Sequence, residues 1–426
     1  MGLLILHWYW LIEGYGVNML FLDQWNILYP IIKQEGLWAA FSQLNGPHRQ
    51  GLGGIIQYVI YPLSGWNTQW EAYVAVFFLA LTTLIAVRIK QRLTGTLTLA
   101  DLCIPFLFLS LQLYESILVA PNLSHGVLPL FLFFLSAYVM CCVADRWQGP
   151  VLAFLVLLTT YTGFAFFSTV LMIPFLFIKF WRSIDKGLQR TFFFSGVFAL
   201  FFGVSFFYNY TLQPAVLCFK FPHDRPWEYL TYSFHVFNNA LGLYELPTSI
   251  QIIFHQWLTP IPFILLTGLW LGTLYRLVHK KMSSTADNIL FYLISISLLF
   301  YALTAVGRVC LGPESARAPR YLIYAIPTFF AIYLILTKWL PSSRWKSLLM
   351  TILFLLLVSK EVRLHQYLPS RLQEYKMTKL TWKECYLQHK SIQKCNEQVG
   401  MVIVMEESFS EDFLRIMEKN KLHIFR

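Results

Sequence analysis

Charge is what this chain has least of. Of its 426 residues only 13% are Asp, Glu, Lys or Arg, where a soluble globular domain carries roughly a quarter. A water-solvated surface around one core is excluded. There is no CxxC pair and no His/Cys cluster with ligand spacing, which excludes a structural zinc of the finger or ribbon type. Runs of about ten residues alternating apolar and polar are missing too, and with them a transmembrane β-barrel. The apolar start, Leu3 to Leu11, has no Lys or Arg before it and no small-residue cleavage site. That is the pattern of an anchor helix rather than of a cleaved signal peptide.

What is there is apolar: 57% of residues are hydrophobic and 18% aromatic. A span needs about 20 such residues, and in hydrocarbon its backbone must satisfy itself, so the spans are helices. They are predicted near 1–20, 70–88, 99–116, 125–143, 150–161, 164–180, 191–210, 251–275, 287–306, 321–337 and 347–359. The fold class expected is an all-α polytopic membrane protein with about eleven transmembrane helices. One feature decides the parity: Thr159 to Gly163 is either a tight turn between two short helices or the middle of one long one.

The net charge of +11 would suggest a nucleic-acid partner in a soluble protein, but here the basic residues sort by loop. Arg88, Lys90 and Arg92 follow the second span, Arg146 the fourth, and Lys179, Arg182, Lys186 and Arg190 the sixth. Arg276, Lys280 and Lys281 follow the eighth, and Lys338, Arg344 and Lys346 the tenth. All fall on one side. The positive-inside rule makes that side cytoplasmic. The N-terminus is then inside, while the first loop (21–69), the loops 211–250 and 307–320, and the tail from 360 are outside. No nucleic acid is expected as a partner.

Two regions of the outside face have structure of their own. In the first loop Ile27, Leu28, Ile31, Ile32, Trp38 and Phe41 recur at helical spacing around Lys33, Gln34 and Glu35, the pattern of amphipathic helices on a membrane surface. Leu52 to Leu63, with Gly53 and Gly54 inside it, is too short to cross and is expected at the interface as well. The domain 1–359 ends where composition changes, and the tail 360–426 carries 12 of the 33 Lys and Arg. It reads as a small soluble α/β module, with a strand at Val402–Val404 and a helix at Phe413–Lys419. Cys385 and Cys395 are a disulfide candidate closing a loop of about eleven residues in an oxidising compartment. The alternative is two buried thiols.

Ionisable residues in otherwise apolar loops are the functional candidates. Asp23, in Asp23-Gln24-Trp25, is placed to act as a general base on a substrate arriving from outside, or as an N-cap. His48 and Arg49 end the first amphipathic segment, where a forked guanidinium suits phosphate, or snorkels to headgroups. Arg308, Arg317 and Arg320, with Tyr321, stand at outside span ends, against the positive-inside bias. They call for a phosphate or pyrophosphate, or else for pairing with Glu314, Glu115 or Asp23. Glu115 and the loop residues His223, Asp224 and Arg225, with Glu228, His235 and Glu245, are candidate acceptor or sugar contacts.

The order DQW, then an amphipathic stretch ending in NGPHR, then GRVCLGPESARAPRY from Gly307 to Tyr321, resembles bacterial membrane proteins akin to the GT-C glycosyltransferases, which include protein mannosyltransferases and aminoarabinose transferases. The resemblance implies transfer of a sugar from a polyprenyl-phosphate donor to a glycan, lipid or protein acceptor outside the inner (plasma) membrane. Asp23 would be the first-loop carboxylate, and Arg308, Arg317 or Arg320 would grip the lipid phosphate. Related proteins show a pattern like His-Asn-Glu-His-Arg where this chain has Leu44 to Arg49, with Gly46 or Pro47 in place of the Glu. No cofactor is called for, and a divalent metal is left open. The competing readings are a transporter or flippase of lipid-linked sugars, a polymerase or ligase of surface glycans, and a membrane scaffold without catalysis. Charges gathered at one face, with no inverted repeat, favour an enzyme.

Overall fold

The computed structural model describes residues 1–212, 216–242, 259–279, 284–338, 344–404, 408–422 and 425. Glu245, Lys280, Lys281 and the first part of the span expected at 251–275 lie outside the described residues. The described residues are helical almost throughout, with one two-stranded hairpin among them.

Among the described residues seven helices are long and apolar enough to cross a membrane: Gln69–Thr94, Leu123–Cys142, Gly163–Arg182, Lys186–Ser205, Ile261–Val278, Thr285–Leu311 and Pro319–Lys338. The chain is thus an all-α protein of the multi-pass membrane class. The other four expected spans take different forms. The first helix, Gly2–Tyr15, has 14 residues and reaches only about 21 Å at 1.5 Å per residue. Asp145–Tyr161 has 17 residues. The segment expected as one span at 99–116 breaks into the turn Leu99–Leu102, the helix Cys103–Phe108 and the turn Leu111–Leu113, followed by the π-helical turn Glu115–Val119. The last span does not stop at 359, because Arg344–His389 is one helix of 46 residues that carries straight into the tail.

The doubtful stretch around Gly163 is a tight turn. Gly163 has φ +46°, and a Cβ there would sit 2.0 Å from the Ser124 carbonyl oxygen. No larger residue fits that approach. The helices on either side, Asp145–Tyr161 and Phe166–Arg182, pack against each other.

The first loop is not one amphipathic helix but three short ones, Gln24–Ile27, Tyr29–Ile32 and Leu37–Ser42. Pro30 and Gly36, the latter at φ +91°, divide them. Ile27, Leu28, Ile31 and Ile32 are buried in the protein, while Trp38 is 66% exposed. Instead of lipid, the tail covers them: the Phe413 ring lies 5.4 Å from Trp25 and 6.4 Å from Tyr29, centre to centre. The second apolar stretch is the helix Gly51–Leu63, seated by its glycines. A Cβ on Gly54 would meet the Ala40 carbonyl at 2.0 Å, so the two segments touch backbone to backbone.

The described residues of the tail are helical, and Val402–Val404 forms no strand. Asn396 takes up the polar groups a strand partner would have satisfied. Its Oδ1 accepts from the Ile403 N–H at 3.1 Å and from Trp382 Nε1 at 2.9 Å, and its Nδ2 donates to the Val404 carbonyl at 2.8 Å. The helices Ile392–Val399 and Ser408–Lys419 complete the module, and Cys385 is bonded to Cys395. A second disulfide, Cys218–Cys310, ties the loop after Ser205 to the arginine segment.

Lys379 fastens this module to the bundle. Its ammonium donates to the Val119 carbonyl at 2.6 Å and lies 5.2 Å from the centre of the Phe21 ring. Burial without a carboxylate partner lowers its pKa from the ordinary 10.5 to about 7. Between those two values the unfolded chain holds a proton that the docked lysine does not, so stability rises with pH across that window. Docking is expected to tighten from pH 7 to pH 10. Limited proteolysis of the tail should slow across that range, and Lys379→Met should flatten the dependence.

Candidate functional site

The sequence Leu44-Asn45-Gly46-Pro47-His48-Arg49 folds as a hairpin in which Leu44 pairs with Arg49 and Asn45 with His48. Gly46 at φ +57° takes the first central position and Pro47 the second, the chemistry of a two-residue turn with glycine leading. Asn26 donates to Asn45 Oδ1 at 2.9 Å, tying the hairpin to the Asp23 turn.

The hairpin separates its two candidate residues. Arg49 is buried, and its guanidinium is spent on main-chain carbonyls: Ser42 at 2.8 Å, Phe206 at 3.0 and 3.2 Å, and Tyr208 at 2.6 Å. It fastens the first loop to the end of Lys186–Ser205. His48 turns inward instead, with its ring 4.1 Å from Phe164 and 5.5 Å from His125. Burial, then the charges of His125 and Arg308, push the His48 pKa well below its ordinary value, so at neutral pH it is an uncharged imidazole.

Two π-helical turns, Glu115–Val119 and Leu123–Val127, flank Ala120-Pro121-Asn122 and bend the chain across one end of the bundle. Such turns widen a helix and re-aim side chains. The first delivers Glu115, whose carboxylate receives Arg320 Nη1 and the Arg320 N–H at 3.1 and 3.2 Å. The second delivers His125, which no feature of the sequence had marked beyond its being an ionisable residue at the start of a span.

Asp23 is exposed, and among the described residues its carboxylate makes no hydrogen bond or ion pair. Its charge is felt at both His125 and Arg320. Arg308 is half-buried and likewise without an ion pair among the described residues, and its charge is felt at His48 and His125. Asp23, His48, His125, Arg308 and the Arg320–Glu115 pair therefore share one neighbourhood. Arg317 pairs with Glu314 at 2.7 Å, and Tyr321 is buried beside Arg320. His223, Asp224 and Arg225 pair locally: Asp224 with Lys220, which lowers its pKa, and the other two with Glu228 at 3.6 and 3.1 Å. Among the described residues no three His, Cys, Asp or Glu side chains gather as they would to hold a metal ion.

Glu71 is the second residue that the sequence leaves unmarked. Completely buried at the start of Gln69–Thr94, it accepts from Gln57 Nε2 at 2.8 Å, Tyr61 Oη at 2.8 Å, the Leu123 N–H at 3.3 Å and Gln24 Nε2 at 3.4 Å. Gln24 also donates to the Pro121 carbonyl at 2.8 Å. One carboxylate thus holds the Asp23 turn, the helix Gly51–Leu63 and the π turn carrying His125 in a common frame.

An apolar cavity of about 120 Å³ is lined in part by Leu113 and Leu322, each two positions along the chain from a member of the Glu115–Arg320 pair. It runs between Cys103–Phe108, Ile326–Lys338 and the apolar part of Arg344–His389, from Tyr333 at one end to Ser110, Gln112 and Lys360 at the other. No protein-family model, curated protein sequence or solved structure matches this chain closely enough to add to what its own residues show.

Proposed function

We propose that this chain is an inverting glycosyltransferase that moves a sugar from a polyprenyl-phosphate donor to a glycan, lipid or protein acceptor on the extracytoplasmic face of the inner membrane. One observation carries the reading: among the described residues an exposed carboxylate with no bond of its own, Asp23, and a half-buried guanidinium with no counter-ion, Arg308, both act electrostatically on the same imidazole, His125. Asp23 takes the proton of the acceptor hydroxyl, whose oxygen attacks the anomeric carbon from the side opposite the lipid phosphate. The carbon–oxygen bond to the phosphate breaks, and the phosphate leaves with the electron pair. Arg308 stabilises that developing charge. Arg320, already neutralised by Glu115, positions rather than neutralises. The apolar cavity lined by Leu113 and Leu322 suits part of an isoprenoid chain.

The cysteines support the sidedness. All four that are paired, Cys218, Cys310, Cys385 and Cys395, lie in loops assigned to the outside, whereas the free ones, Cys103, Cys141 and Cys142, lie toward the basic end of the bundle. Disulfides persist outside the cytoplasm and thiols within it. On intact cells an impermeant maleimide should label nothing until an impermeant reductant is added, and then only the paired four. Labelling of Cys141 or Cys142 without reductant inverts the topology.

The activity is tested with purified protein and radiolabelled polyprenyl-phosphate sugars. Release of free lipid phosphate together with labelled acceptor is expected. Movement of intact donor between leaflets with no release identifies a transporter instead.

A further inference from the structure

Asn122 decides the chemistry of His125. The amide oxygen of Asn122 accepts from the His125 main-chain N–H at 2.9 Å, which identifies that end of the amide as oxygen. The other end is therefore the NH₂ group, and it lies 3.1 Å from His125 Nδ1. An NH₂ can only donate, so Nδ1 is the acceptor and carries no proton. The imidazole is then uncharged with its single proton on Nε2. That Nε2 is buried and meets no partner among the described residues. The ring cannot turn away easily, because the His125 carbonyl accepts from Tyr324 Oη and Phe164 packs against both His125 and His48. A buried donor left unpaired costs stability unless something fills its place.

We infer that His125 Nε2–H donates to a phosphate oxygen of the substrate's head group, with Asn122 as the residue that places the proton. The neighbour that selects phosphate is Arg308, a cation without a counter-ion among the described residues, whose charge reaches the same imidazole. A neutral N–H beside a guanidinium makes an anion site in which one partner supplies charge and the other direction. His48, 5.5 Å away and also uncharged, lines the site without competing for the anion. The inference rests on the proposed lipid-phosphate donor for its ligand, but the tautomer does not.

The test uses full-length protein in detergent with nitrogen-labelled histidine, the resonance of His125 being assigned by its loss in His125→Gln. In the wild type the spectrum should show Nε2 protonated and Nδ1 bare. A short isoprenyl phosphate should shift that Nε2 resonance, and the matching isoprenyl alcohol and a free hexose should not. Asn122→Asp keeps an oxygen for the main-chain N–H but offers Nδ1 an acceptor, so it should move the proton to Nδ1 and weaken isoprenyl-phosphate binding by about tenfold or more. Its melting temperature reports whether the fold is kept, and the tautomer is read in the folded fraction. Protonated Nδ1 in the wild type, an Nε2 indifferent to the phosphate, or an equal response to the hexose overturns the inference. A phosphate response without sugar transfer leaves it standing and removes the glycosyltransferase reading; transfer with a silent His125 does the reverse.

Discussion

Asp23→Asn is expected to abolish sugar transfer and to leave the melting temperature unchanged. The carboxylate is exposed and makes no bond among the described residues, so its replacement by a neutral amide of the same shape removes nothing that holds the loop. The N-cap alternative is set aside by the same fact, because the Asp23 side chain makes no capping bond to the turn that follows. What the substitution removes is a base, and a positioned general base contributes roughly 10²–10⁴-fold in rate. Release of labelled lipid phosphate, measured beside a thermal melt, reads both halves. Normal turnover in this variant would take Asp23 out of the mechanism.

Glu71 answers in the opposite way. Glu71→Leu leaves Gln57, Tyr61 and the Leu123 N–H without their acceptor in a fully buried place. Each unsatisfied buried donor costs about 1–3 kcal/mol, so a loss on the order of 5 kcal/mol is expected, enough to free the first loop. Glu71→Gln should fall between, since it keeps one acceptor oxygen but turns an NH₂ toward groups that themselves donate. The measurement is the melting temperature together with protease cleavage within 21–68. A Glu71→Leu protein as stable as the wild type would show that these three donors find other partners.

The two expectations separate residues that composition treats alike. Asp23 was legible because it stands in an otherwise apolar loop next to an aromatic, where an ionisable group invites a functional reading. Glu71 sits two residues into an apolar helix and reads as an ordinary first-turn acid; only the convergence of Gln24, Gln57, Tyr61 and Leu123 from three separate segments reveals it. Arg49 shows the converse. Its residue type suits phosphate, yet the carbonyls of Ser42, Phe206 and Tyr208 occupy the guanidinium, the last two from a distant part of the chain. Hydrogen-bond partners that lie more than 150 positions away leave no trace in local pattern.

The spans divide along the same line. Length and apolarity alone identify the seven long helices, because the cost of an unsatisfied backbone in hydrocarbon is paid residue by residue. They do not identify the break between 99 and 128, where the chain bends through two π turns around Pro121. Nor do they reveal that the last helix runs on to His389 or that the tail, not lipid, covers Ile27 to Ile32.

What the sequence by itself determined is the helical, multi-pass character of the chain and the gathering of its ionisable residues in a few loops. Hydrophobicity and charge are properties of single residues, and they sum along the chain without reference to shape. The tertiary structure alone decided that His125 joins Asp23 and Arg308, that Arg49 is a strut, and which nitrogen of His125 carries the proton. Each of those depends on direction and on partners brought together by folding.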